Sequence, residues 1–172
     1  IPVPDAEAYM IGIATKEKEE TTTQRAQTAR HQLNFEFWQQ TLEALRRENV
    51  TLFQNVSPGR ESWLSAGAGV SSCPYNLVFN KSEVRVEFDM RRPVAEENKK
   101  LFDALHKRRE EIENAFGAPL LWERRDGGKG CIIRFAKEVD GFDRANWPEM
   151  IDWLVEQVVR LERAFRDPLR SA

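Results

Sequence analysis

From Leu33 onward, apolar side chains recur at helical spacing. Phe35, Trp38, Leu42 and Leu45 share one stripe with Phe37 beside them, which predicts a helix ending near Asn49. The period then changes. Leu52-Phe53 is a short apolar run, read as a strand, and Ser57-Pro58-Gly59 turns the chain. The segment WLSAGAG, Trp63 to Gly69, reads as a strand that opens into a glycine-containing loop. Tyr75, Leu77 and Phe79 alternate with Asn76, Val78 and Asn80. After the polar connection Asn80-Lys81-Ser82-Glu83, Val84, Val86, Phe88 and Met90 alternate with Arg85, Glu87 and Asp89. Period two on both sides of a short turn predicts a β-hairpin, one face apolar and the other charged.

A second helix is expected from about Val94 to Phe116, striped by Leu101, Leu105, Ile112 and Phe116, with Gly117 where a C-terminal cap belongs. LLWER and CIIRF then pair as a second hairpin across Asp126-Gly127-Gly128-Lys129. The last helix starts at Asn146, an N-cap candidate with Glu149 three residues on, as in a capping box. Trp147, Ile151, Leu154, Val158, Leu161 and Phe165 form its stripe, and Pro168 ends it. Upstream, AYMIGI from Ala8 to Ile13 is compatible with a short strand. Thr15 to Thr28 is charged, rich in Thr and Gln, and reads as a linker running into a helix. The expected order is helix, four strands, helix, two strands, helix. Hairpins dominate, and each helix has one apolar stripe. The fold class is therefore α/β of the α+β type: two layers, with a mostly antiparallel sheet of five or six strands packed with three helices.

Composition narrows the function classes. The 172 residues suffice for one domain with a real core, and 41% hydrophobic with 31% charged is ordinary for a globular chain. With 26 basic and 28 acidic side chains the net charge is −2, which argues against a protein that coats polyanions by bulk charge. Cys73 and Cys131 are too few for a disulfide scaffold, so a reducing, cytoplasmic setting is expected. No apolar run approaches the ~20 residues that cross a bilayer, and the N-terminus lacks the basic start and apolar stretch of a signal peptide. The chain begins at Ile1 rather than methionine, so residues 1–28 are expected to be the tail of an upstream region plus a linker. Residues 29–172 then form a single α/β domain.

Four constellations could carry chemistry. Asp89 followed by Glu97-Asn98-Lys99 matches the spacing of a nuclease centre, where carboxylates hold Mg²⁺ and a lysine stabilises developing charge. Glu97 and Lys99 fall in a helical pattern, however, where residues two apart face different ways, and the nuclease arrangement needs a strand. The second is the charged hairpin face of Arg85, Glu87 and Asp89, with Glu123 and Arg134 able to meet across the second hairpin. Cross-strand ion pairs on a half-exposed sheet look the same. The third is a basic series on or around the second helix: Arg91-Arg92, Lys99-Lys100, Lys107-Arg108-Arg109 and Arg124-Arg125. Glu96, Glu97, Glu110, Glu111 and Glu113 dilute it. The fourth is the loop from Ser57 to Trp63, where Arg60 and Trp63 beside Gly67 and Gly69 could hold a flat ring or a flipped base. The simpler reading buries Trp63 in the core. His31 and His106 lack metal-ligand spacing, and Cys73 beside Pro74 reads as a small apolar residue.

The runs FEFWQQTLEAL, LFQNVSPGRESWLSAG, NLVFNKSEVRVEF, ENKKLFDAL, EEIENAFG, LLWER and NWPEMIDWLVE, taken in order from Leu33 to Leu169, resemble one bacterial and archaeal domain family of unknown function. Members of that family often sit C-terminal to a PD-(D/E)XK-type nuclease-like domain. The resemblance implies a non-catalytic accessory domain of a nuclease- or restriction-like protein, contacting DNA or the partner enzyme, and carries over no catalytic residue. The expected binding residues are Arg60, Trp63, Arg85, Glu87, Asp89, Arg91, Arg92 and Arg134, with no metal site, no cofactor and no membrane partner. Two alternatives stand beside it. One is a dimerisation or protein-interaction domain that uses the final helix and pairs with a second copy. The other is a small metal-dependent hydrolase using Glu87 and Asp89.

Overall fold

The structure, a computed structural model, describes the backbone of residues 4–172 and the side chains of Met10 and residues 13–172. Residues 1–3 of the expected N-terminal tail lie outside the described residues. In chain order the elements are α1 (Pro4–Arg47), β1 (Trp63–Gly67), β2 (Pro74–Phe79), β3 (Glu83–Met90), α2 (Ala95–His106), α3 (Arg109–Phe116), β4 (Leu121–Glu123), β5 (Cys131–Glu138), a 3₁₀ turn (Arg144–Asn146) and α4 (Trp147–Ser171). The strands form one open antiparallel sheet in the order β1-β2-β3-β5-β4. The α+β class stands, with five strands and four helices among the described residues.

Period-two alternation sets the two sheet faces. Register pairs Tyr75 with Phe88, Leu77 with Val86, and Phe88 with Ile133, so these side chains share the face that meets the helices. Phe37 of α1 stacks on Phe79, Phe165 of α4 on Phe88, and Trp153 of α4 on Phe135. Phe116 of α3 packs edge-on against Phe135, and Phe102 of α2 against Trp122. All four helices therefore cover one face. Burying whole aromatic side chains there supplies the dominant stabilisation. The opposite face carries no helix among the described residues.

Several expected elements differ from the observed ones. Ala8–Ile13 and Thr15–Thr28 are neither strand nor linker but part of α1, a helix about 66 Å long at 1.5 Å per residue. Its described side chains up to Arg30 are exposed. Thr21, Thr22, Thr23 and Thr28 return their hydroxyls to carbonyls four residues back, which keeps these polar groups satisfied on a solvated helix. Leu52-Phe53 lies in a turn with Phe53 buried, so three strands rather than four precede α2. The expected helix from Val94 to Phe116 is two helices, broken where Arg108 leaves helical geometry (φ −105°, ψ 19°), and α3 then packs on α4. Gly117 does cap it, in the left-handed region at φ 99°.

Asn146 does not act as the side-chain cap of α4. Its Nδ2 donates instead to the Asp140 carbonyl, and Asp143 caps the preceding 3₁₀ turn by accepting from Ala145 N at 3.0 Å. Pro168 does not end α4; it lies buried in the last turns, where few hydrogen bonds remain to be lost. Gly141 closes the layer. Its N donates to Lys81 O at 2.9 Å, and a Cβ there would sit 2.0 Å from Asn80 O, so no larger residue fits this backbone crossing. No described helix is long and apolar enough to cross a membrane.

Candidate functional site on the open sheet face

The uncovered face gathers Trp63 and Ser65 from β1, Asn76 and Val78 from β2, Arg85, Glu87 and Asp89 from β3, Ile132 and Arg134 from β5, and Leu121 and Glu123 from β4. Its centre is polar yet shielded: Asn76, Glu87 and Asp89 are 0%, 3% and 2% exposed. Buried polar groups need partners, and here each one has them. Ser65 Oγ donates to Asn76 Oδ1 at 2.6 Å, and Asn76 Nδ2 donates to Glu87 Oε1 at 3.1 Å and Asp89 Oδ2 at 3.2 Å. Arg85 Nε donates to Glu87 Oε2 at 3.0 Å while its Nη1 reaches Glu83 Oε1 at 2.6 Å. Arg91 Nε donates to Asp89 Oδ2. On the far strands Glu123 accepts from Arg134 at 2.8 Å and from Arg125 at 3.0 Å. The Arg134–Glu123 contact read from the second hairpin is present, running diagonally because Arg134 stands opposite Leu121.

The face thus brings together Trp63, Arg85, Glu87, Asp89, Arg91 and Arg134. It excludes two of the expected binding residues. Arg92 lies beyond β3, where its backbone exchanges hydrogen bonds with Asn98. Arg60 lies on the helix-covered side, in a loop held against α1. Trp63 is not a core residue; it is 44% exposed, because the alternation of β1 turns Leu64 and Ala66 inward instead. Leu121, 51% exposed, adds a second apolar group on the strand at the opposite edge. Ser65 and Asn76 were missed as site residues. Asn76 carried a signal, since it alternates with core positions in a strand and so shares the face of Glu87.

Both carboxylates of the pair are already occupied by arginine and amide donors. Among the described residues no cluster of three His, Cys, Asp or Glu side chains is placed to hold a metal ion. Burial pushes the Asp89 carboxyl up; the Arg91 guanidinium pulls it back, and the Glu87 charge adds to the rise. The native state therefore holds the Asp89 proton more tightly than the unfolded chain does. Asp89's contribution to stability is greatest in acid and falls as pH rises through the native pKa. Asp89→Asn lacks this titration, so in urea melts its stability relative to wild type should rise as pH rises above the ordinary aspartate range. A relative stability that falls over that rise in pH would contradict the buried-acid assignment.

The other constellations are spent on structure. Lys99 Nζ donates to the carbonyls of Arg124 (2.6 Å), Arg125 (2.7 Å) and Gly130 (3.1 Å), clasping the β4–β5 connection to α2. Glu97 is exposed on α2, so the Asp89…Glu97-x-Lys99 spacing does not converge. Arg124 is bound by Asp103 and Asp126, Arg108 by Glu111 and Arg109 by Glu113, so most of the basic series on and around the second helix is internally neutralised. His106 stacks on Phe102. Cys73 and Cys131 are buried free thiols, pushed up by burial.

Comparison with curated proteins and with solved structures returns no significant match. A family model covers residues 33–169, from the first buried helical stripe to the end of α4, and with most of its length matched the chain belongs to the family described as Domain of unknown function (DUF4268).

Proposed function

We propose that this domain is a non-catalytic recognition module of a nuclease- or restriction-like protein, and that its open sheet face docks the nuclease-like partner domain. The carrying observation is the make-up of that face: exposed Trp63 and Leu121 on the two edge strands, with an ion-pair network between them in which every charge has a partner and only Arg134 Nε lacks a hydrogen bond. Aromatic and arginine side chains are enriched at protein interfaces, and arginines held in place by neighbours lose little freedom on binding. The same pairing makes the face a weak surface for a polyanion, because Arg85, Arg91 and Arg134 are each neutralised by a carboxylate. It also disfavours hydrolysis by Glu87 and Asp89, because both Glu87 oxygens and Asp89 Oδ2 would have to shed their donors before touching a metal or a water.

A titration of the chain with the nuclease-like domain, followed by calorimetry, tests the reading. Trp63→Ala with Leu121→Ser should weaken association about 10-fold or more without changing the melting temperature, as expected for exposed apolar contacts of an interface. Absence of binding by the wild-type chain, or binding indifferent to the double substitution, rejects it. Self-association is the second reading, favoured by a groove of about 730 Å³ between the end of α1 and α4, floored by Ala44, Val155 and Val159. The aromatic residues of α4 are not available for it, since Trp147 and Phe165 are buried and Trp153 stacks on Phe135. Sedimentation of the chain alone reads it directly.

A further inference from the structure

The structure assigns a phosphate-binding pocket, sized for one nucleotide unit, to the seam between α1, the β1 approach and the β2–β3 turn. The cavity is about 440 Å³, within the usual range for small-ligand sites. Arg30 and His31 of α1, Arg60 of the loop before β1, and Lys81 of the turn converge on it from three separate segments. None of these four side chains has an ion pair or hydrogen bond among the described residues, whereas Arg85, Arg91, Arg108, Arg109, Arg124, Arg125 and Arg134 are all paired. Arg30, Arg60 and Lys81 share the cavity with a single carboxylate, Glu61, so positive charge is in excess there and repels itself. The arrangement is therefore best satisfied by an anion.

The backbone around these free cations is firmly held. Asn34 Nδ2 donates to Arg60 O at 2.9 Å and Trp38 Nε1 to Glu61 O at 2.8 Å, fixing the loop on α1. Phe79 N donates to Ser62 O at 2.8 Å, and Asn80 Oδ1 accepts from Ser82 N and Glu83 N, fixing the turn. A backbone frame fixed before binding is preorganised for a phosphate, because only the cationic side chains remain to be ordered. The half-buried Phe142 lines the same cavity, edge-on to Phe79 at 5.8 Å, and offers a ring on which a base can rest. Glu61 is the one carboxylate lining the pocket. This site borders the start of β1, where Ser62 precedes Trp63, but it uses none of the open-face side chains, and it stands whether or not the docking role of that face does.

The test is fluorescence anisotropy of fluorescein-labelled oligothymidylate with the full chain at low and physiological salt, with competition by adenosine monophosphate and by inorganic phosphate. Binding should weaken with salt. Alanine at Arg30, Arg60 or Lys81 should lower affinity about 5-fold or more and reduce the salt slope by about 1. Glu61→Gln should tighten binding, a gain that unfolding cannot mimic. Competition by the mononucleotide identifies a free nucleotide as the ligand; binding of the strand without such competition identifies a nucleic-acid backbone. Displacement by inorganic phosphate at a similar concentration reduces the site to the anion alone and overturns the nucleotide assignment. No binding at low salt overturns the pocket altogether. So does affinity unchanged in all three single alanine variants and in Glu61→Gln. Trp63→Ala with Leu121→Ser should leave this binding intact.

Discussion

Alanine in place of Trp38 should destabilise the domain by about 4 kcal/mol in urea unfolding, a large part of the 5–15 kcal/mol typical of a domain this size. Two effects add. The indole is fully buried and packs edge-on against Phe37 at 5.1 Å and Phe79 at 6.2 Å, so truncation opens a cavity among three elements. It also removes the donor that satisfies Glu61 O. Trp38→Phe largely separates the two, because it loses the hydrogen bond but only a minor part of the buried ring volume; about 1–2 kcal/mol is expected. Since that bond holds the segment carrying Arg60, Trp38→Phe should also weaken oligothymidylate binding while the domain remains folded. Equal losses in the two variants would mean that the hydrogen bond dominates over packing, contrary to the geometry.

Asn76→Ala should destabilise the domain by about 2–3 kcal/mol, although it deletes only a small polar side chain. Asn76 is wholly buried, and its one amide nitrogen serves both Glu87 and Asp89. Without it, two shielded carboxylates face each other with fewer donors, and a buried charge that loses a partner is penalised by its own desolvation. Asn76→Asp should be worse at neutral pH, since it places a third carboxylate beside the first two, and should recover toward wild type as the cluster is protonated in acid. Thermal melts of wild type and both variants at neutral and acid pH check this. An aspartate variant as stable as the alanine variant at neutral pH would show that the amide does not hold the two acids together.

The elements read correctly from local pattern are those in which one period runs long enough to exclude the other. Tyr75 to Met90 alternates through two strands and a turn, and Phe35 to Leu45 repeats at helical spacing; both are found as expected. AYMIGI failed because a six-residue apolar run fits either state, and the helix-forming segment that follows carries it into α1. Trp63 failed for a different reason. Size and hydrophobicity favour burial, but Leu64 and Ala66 occupy the inward positions of β1, and strand geometry then turns Trp63 outward. The break at Arg108 leaves no mark in the stripe, because Leu105 and Ile112 are both buried on either side of it.

For the site, the face carrying Arg85, Glu87 and Asp89 was visible in the alternation of one strand. Its partners were not. Asn76 meets Asp89 because β2 and β3 pair in one register, and Glu123 reaches Arg134 through another. The pocket around Arg30, His31, Arg60 and Lys81 was invisible, since its members come from segments that look unrelated along the chain.

Periodicity in the chain was enough to establish the class of fold and which side chains share a face, because both follow from how one backbone segment repeats. Which charges neutralise one another, and which cations are left without a partner, was settled only when the sheet and helices packed. Ion pairing depends on distances of a few ångströms between segments far apart in sequence, and those distances exist only in the folded protein.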